Sequence, residues 1–253
     1  MRRLALLGLF AIACGSTTAS GPALALVYHT GDVYRYSYES NGHGAIDPSP
    51  PDAVHKTAYL TFTVKAVDSN ATADLSLEAS DVVATLVGVP IPSPVGTSLN
   101  GSSDLKVRSD GRVLSETVNG AAFGGGIWWA VLPSMAVKPG DTWTDAFDVS
   151  YSGPSVTGQF TTKSKYLRDE SFHGANAAVV ESIFAANAIA PPTAGIGVTE
   201  TSTTTITTWI DRGAGRVLKS HLVSSYVGAF TDLSGSIRPT TVRGDEISDL
   251  LPV

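Results

Sequence analysis

Along most of this chain apolar and polar residues alternate one for one, and any fold must satisfy that period of two. Val33-Tyr34-Arg35-Tyr36-Ser37-Tyr38-Glu39 places three tyrosines on one face. Leu60, Phe62, Val64 and Ala66 alternate with threonines and Lys65, and Ala73, Leu75, Leu77 and Ala79 alternate with Asp74, Ser76 and Glu78. Runs of this kind form half-buried strands. Turn residues separate them: Asp68-Ser69-Asn70 closes one hairpin, and Asp110-Gly111 closes another between Leu105–Arg108 and Val113–Val118. Residues 40–56 and 89–103, with their glycines and prolines, read as loops, as do Pro191-Pro192. Only residues 121–132 offer a short helix, ending before Pro133 and opposed by Gly124-Gly125-Gly126. A chain of hairpins predicts an all-β, antiparallel protein.

Two signatures then recur in the same order. Gly31-Asp32-Val33-Tyr34 opens a run that closes on Gly111-Arg112-Val113-Leu114, and Gly140-Asp141-Thr142-Trp143 opens one that closes on Gly215-Arg216-Val217-Leu218. Leu105 to Val118 aligns without a gap on Trp209 to Leu222, at an offset of 104 residues. Chance similarity between β-rich segments is the competing explanation, but ordered recurrence favours two tandem repeats, residues 31–119 and 140–228. Between them lies an apolar, glycine-rich seam, 120–139, with Trp128 and Trp129 adjacent at its centre. The expected architecture is one large curved antiparallel sheet, half-barrel-like, with the seam on its concave side. Two packed sandwiches are the other arrangement open to such repeats. The tail, 229–253, has no counterpart and would add one edge strand.

The N-terminus carries an address. Arg2 and Arg3 precede a ten-residue apolar run, Leu4 to Ala13, which has the shape of an export signal over residues 1–13. As a helix it spans roughly 15 Å, about half a bilayer core. Cys14 is the one cysteine, and Ala11-Ile12-Ala13-Cys14 resembles a lipobox, in which the thiol is acylated and becomes the first residue. An Ala-x-Ala cleavage that leaves Cys14 unmodified is the alternative. Residues 14–30 then form a lipidated tether, and the protein is expected on a bacterial membrane, or secreted or periplasmic without the lipid. Losing Arg2 and Arg3 takes the formal charge from −6 to −8. An acidic chain without a basic cluster argues against nucleic acid as a partner.

A search for chemistry finds no catalytic motif. The five histidines, His29, His43, His55, His173 and His221, lack metal-ligand spacing. Asp68 to Thr72 begins like a calcium loop, but Ala73 and Ala79 stand where glycine and glutamate are needed. Asp141 and Asp145 share a strand face, the one pair suited to acid–base work, and their place near a strand end favours simple solvation. Arg112 and Arg216 read as side chains lying over the sheet end. No cofactor is expected. Trp128, Trp129, Trp143, Trp209, Tyr34 and Tyr36 either pack the core or line a ligand cavity.

The lipobox-like Cys14, the paired Gly-Asp-x-Tyr/Trp openings, the Gly-Arg-Val-Leu hairpins and Leu132-Pro133 followed by Val137-Lys138-Pro139-Gly140-Asp141-Thr142-Trp143 together resemble a group of bacterial envelope lipoproteins with a duplicated β unit. More distantly the layout is similar to half-barrel lipoprotein and lipid carriers of the LolA/LppX type. That resemblance implies a curved sheet whose concave face, closed by an apolar plug, holds acyl chains. The expected function is non-catalytic binding of a lipid, another apolar ligand or an envelope protein partner. A structural or assembly lipoprotein with a fully packed core is the alternative, and an envelope hydrolase the remote one.

Overall fold

An odd number of strands cannot close into a barrel with every neighbour antiparallel, and the described residues of this chain form eleven long ones. The computed structural model describes residues 23–46, 52–86, 89–90, 100–120, 127–152, 156–193, 196–232 and 240–253. The strands are β1 (Val33–Ile46), β2 (Asp52–Val67), β3 (Thr72–Leu86), β4 (Val89–Pro90, a two-residue ribbon on β3), β5 (Gly101–Arg108), β6 (Val113–Gly120), β7 (Thr142–Ser152), β8 (Val156–Phe172), β9 (Ala175–Thr193), β10 (Ile196–Asp211), β11 (Val217–Asp232) and β12 (Thr240–Pro252). They follow one another around a closed barrel, with β12 pairing both β11 and β1. Every long neighbour is antiparallel except β6 and β7, which run parallel through Ser115–Ser150, Glu116–Tyr151 and Thr117–Ser152. Parity demands one such junction.

A parallel junction forces the chain to travel the length of the barrel between β6 and β7, and residues 128–132 of the seam lie in the lumen. We call the end carrying the turns at residues 68–71, 109–112, 173–174 and 212–216 the lower end. From Trp128 to Leu132 every residue is buried. Trp128 meets Tyr38 of β1 and Phe62 of β2 edge-on, while the Ala130 and Val131 amides donate to Thr208 Oγ1 of β10 (2.8 Å) and Ser182 Oγ of β9 (3.1 Å) on the far wall. The Leu132 amide reaches Asp110 O at the lower end (2.8 Å). Backbone that leaves regular structure inside a protein must still satisfy its amides. Here the inward hydroxyls of β9 and β10 do that, backed by Ser164 on Ser182 (2.6 Å) and Ser220 on Thr208 (3.3 Å).

The lower end is sealed from outside by residues 23–28. Ala23 bridges Ala136, the Leu26 amide donates to Ser109 O (2.7 Å), and the Val27 amide donates to Gly215 O (2.8 Å). Leu24 and Leu26 are buried against the same cluster as Leu60, Phe62, Leu75 and Trp129. Each such side chain contributes roughly 1.5–3 kcal/mol on full burial.

Four expectations change. The sheet is a closed barrel instead of a half-barrel, because β12, in the tail, pairs with both β11 and β1 and is a wall strand. The seam lies in the lumen, not against an open concave face. Residues 127–132 form no helix, with the Ala130 and Val131 amides taken by lumen hydroxyls and the Leu132 amide by Asp110 O; 121–126 lie outside the described residues, and among the described residues there is no helix. The loops predicted at 40–56 and 191–192 are strand wherever they are described, since β1 runs to Ile46, β2 begins at Asp52 and β9 reaches Thr193; of 89–103, residues 89–90 and 101–103 are strand and 91–99 lie outside the described residues. Pairing on both flanks carries glycines and prolines that local preference would leave in loops.

The two signature openings are built alike. Gly31 and Gly140 have φ of 93° and 96°. Gly31 N–H donates to Val64 O (2.9 Å) and Gly140 N–H to Tyr166 O (2.7 Å). Asp32 Oδ2 accepts the His29 amide (3.0 Å) and Asp141 Oδ2 accepts the Lys138 amide (2.9 Å).

Candidate functional site

The six aromatic residues singled out in the sequence do not form one site. Trp128 and Trp129 are about one-twentieth exposed and fill the lower lumen. Trp129 Nε1 donates to Gly111 O (2.9 Å), and its ring lies 5.7 Å from that of Phe62. Trp143 is half-buried and donates from Nε1 to Val131 O (3.1 Å), pinning the seam to β7. Tyr36 is buried with its hydroxyl on Val217 O (2.9 Å), and Tyr34 reaches Asp32 Oδ2 (2.9 Å). Trp209 alternates with the inward Thr208 and Ile210, so it lies on the outer wall, bonded to Glu170 with Lys219 over its ring at 5.0 Å. The void beside Tyr34, Tyr36, Phe62 and Trp129 measures about 20 Å³, room for one water. Cys14 lies outside the described residues.

The acidic pair is separated by its partners. Asp141 takes the Lys138 amide, whereas Asp145 is paired with Arg112, which also contacts Asp110 (3.3 Å). Asp68 closes its turn by accepting the Asn70 and Thr72 amides, both at 2.8 Å. Among the described residues no three His, Cys, Asp or Glu side chains converge as metal ligands.

Polar character collects instead toward the upper end. Glu246 of β12 takes three hydroxyls on one oxygen, Ser40 (2.6 Å), Tyr38 (2.7 Å) and Ser248 (3.0 Å), while Lys56 stands 3.7 Å from the other. Burial alone would push this carboxyl up, but Ser40, Lys56, Tyr38 and Ser248 outweigh it and hold the group below its ordinary value. Glu116 of β6 is buried, whereas Glu246 is only part-buried, and burial raises the Glu116 carboxyl, partly offset by a hydrogen bond from Ser103.

Beside the Glu246 cluster, a cleft of about 520 Å³ crosses β9, β10, β11, β12 and β1. Three successive cross-strand rows build it: Ala185, Thr203, Ser225, Asp245 and His43, then Ala186, Ser202, Tyr226 and Gly244, then Asn187, Thr201, Val227 and Ala45. Tyr226 owes its position to glycine. A Cβ on Gly244 would sit 2.5 Å from the Tyr226 hydroxyl. Sequence reasoning missed this site because Gly244 and Asp245 lie on β12, in a tail that read as an appendage, and His43 in a stretch that read as a loop.

Neither a protein-family model nor a curated protein matches this chain.

The outer wall is mostly polar. Arg35, Ser37 and Glu39 of β1, Thr61, Thr63 and Lys65 of β2, and Lys163 and Lys165 of β8 alternate with lumen residues. A membrane-spanning barrel needs a continuous outward apolar band; among the described residues the exposed large apolar side chains of the strands are Val33, Tyr59, Val83, Ile183, Val223, Val227, Ile247 and Leu251, of which Ile183, Val223 and Ile247 share one short row.

The Glu246 and Glu116 carboxyls make opposite contributions with pH. A carboxyl held low when folded adds stability above its unfolded value and loses it as pH falls, so Glu246→Gln should destabilise at pH 7 and lose that penalty at acid pH. A carboxyl held high adds stability below its unfolded value and loses it as pH rises. Glu116→Gln should therefore raise Tm by about 2–4 °C at pH 7 and leave it unchanged at pH 4. Thermal melts of both variants across pH 3–8 check the pair; shifts of the same sign would refute the assignment.

Proposed function

We propose that this chain is an exported, lipid-anchored barrel of the bacterial envelope that works by non-catalytic binding of a small hydroxylated ligand in the cleft across β9–β12 and β1. One observation carries the reading: the cleft has the volume of a small-molecule site, on the order of 300–1,000 Å³, and its lining includes Thr201, Thr203, Ser225, Asn187, Asp245 and His43, exposed polar residues that share one face of the sheet. Ligands with many hydroxyls are recognised by such sets of donors and acceptors. An acyl chain would need space at Trp128 and Trp129 that their packing takes up, which moves the ligand from the apolar to the polar class. The anchor reading rests on the lipobox-like Cys14, and the polar wall suits a barrel held beside a membrane instead of in it. Duplication is supported by the matched geometry of the Gly31 and Gly140 openings and by the distribution of long strands: five before the seam, five after, and β12 last.

The test is calorimetry and native mass spectrometry on the chain from Gly15, with glucose, maltose and inositol as trial ligands. Binding is expected, and Thr203→Trp should abolish it by filling the cleft while Trp209→Phe leaves it intact. Absence of binding to all three would favour the second reading, a structural or assembly lipoprotein, which the packed lower lumen supports. Anchoring is tested separately: full-length chain in a bacterial host should gain the mass of a diacylglyceryl group, and Cys14→Ser should release it from the membrane.

A further inference from the structure

The barrel wall has one place where strand pairing stops short. β7 pairs with β8 over Thr142 to Tyr151, but with β6 only over Ser150 to Ser152. Continuing that parallel register downward sets Arg112, which precedes β6, level with Phe147, and Asp110 level with Asp145. Below Val149 the neighbour has peeled away into the 109–112 turn. Side chains close the gap: Arg112 reaches across to Asp145, and its guanidinium lies 5.9 Å from the Phe147 ring. Behind it stands the seam, with Val131 held by the Trp143 indole.

β7 therefore has a free edge over its lower half. The Ala146 amide is taken by the adjacent Asp145 Oδ1 (2.8 Å), a local stand-in for a missing strand. Bonds alternate sides along an antiparallel strand, so the amides of Thr142, Thr144 and Asp148 point the same way, and all four residues are exposed. Among the described residues no backbone acceptor approaches them from that side.

We propose that this edge is a docking site for an extended segment of a partner polypeptide, which enters between β7 and the 109–112 turn and adds a strand to the barrel. A second folded copy fits poorly. Two convex walls meeting along six or so residues fall short of the roughly 1,200 Å² that stable interfaces bury, and each would bring Asp145 and Asp148 to a chain already at −6. A single strand needs only main-chain bonds for affinity and alternate pockets for choice. Here those pockets are the half-buried Trp143 and Phe147 rings, so the partner strand is apolar at every second position and polar between. This inference stands apart from the cleft and its ligand.

The test uses the whole barrel and a labelled peptide, Lys-Thr-Val-Thr-Val-Thr-Lys, followed by fluorescence anisotropy and amide hydrogen exchange. Saturable binding is expected, with exchange at Thr144 slowed about tenfold while the cleft strands are unaffected. Thr144→Pro removes an edge amide that serves no ladder bond; it should abolish binding at an unchanged Tm. If that variant misfolds, the same peptide N-methylated at its three central residues, which cannot pair along either edge, serves as the control and should not bind. Arg112→Ala, which opens the gap, should tighten binding. No protection at Thr144, or equal binding by the N-methylated peptide, would overturn the proposal. Protection that grows with protein concentration and needs no peptide would overturn it in favour of self-association.

Discussion

Replacing Trp129 with alanine should lower the unfolding free energy by about 3–5 kcal/mol, the cost of emptying a large aromatic site in a core that cannot collapse around it. The site is rigid on each side. Phe62 of β2 meets the indole at 5.7 Å, Gly111 O accepts its N–H at 2.9 Å, and the next seam amides are tied to Thr208 and Ser182. Removing the ring opens a void and strips Gly111 O of its donor in a buried turn. With a fall in Tm of about 2–4 °C per kcal/mol for a chain this size, the melt should move by roughly 10 °C or more. Trp209→Ala is the reference, because that ring lies on the outer wall and its loss should cost about 1 kcal/mol. Denaturant titrations followed by far-UV circular dichroism read both. Equal losses would mean that the seam is not the core of the lower lumen. Indole added to the Trp129→Ala variant should bind the dry cavity and recover part of the loss through mass action.

The strands were legible because their alternation is local. Tyr34, Tyr36 and Tyr38 share a face in the sequence as they do on β1, and Asp110-Gly111 turns where a two-residue hairpin signal says it must. Closure was not legible, because it depends on β12 finding both β1 and β11, and nothing within residues 240–252 names a partner some two hundred positions away. One signal was available. Thr208 between Ile206 and Ile210, and Ser182 between Val180 and Phe184, put hydroxyls on faces otherwise given to the core. Buried hydroxyls at strand positions ask for a non-strand partner, and the seam amides answer. The odd strand count, once five and five were read from the repeats and the tail was added, would have called for a parallel junction and a chain crossing the lumen. The cleft was hidden for a different reason: its residues are small and ordinary, and only register across five strands brings Thr203, Ser225, Asp245 and His43 into line.

Gly111→Ala should be the most damaging single methylene in the lower end, at about 3 kcal/mol, and the reason can be separated into two parts. Its φ of 84° is a region alanine enters at roughly 1–2 kcal/mol. Gly140 has a similar φ, 96°, but a Cβ there meets nothing within 4 Å, so Gly140→Ala measures the backbone cost alone. At Gly111 the added Cβ would lie 2.8 Å from Ala130 O and 2.9 Å from Trp129 Cδ1. The first contact is backbone that the Thr208 bond holds in place, so the seam must shift or the turn must open. The second vanishes in Trp129→Ala. The double variant should therefore lose less than the two single losses together, by about 1 kcal/mol or more, as coupled neighbours do, whereas Gly140→Ala combined with Trp129→Ala should be additive. Urea unfolding of the five variants decides it. Additivity at Gly111 would mean that the indole does not press on the turn, and the seam would then be held in the lumen by its amides and not by the fit of Trp129 over that glycine.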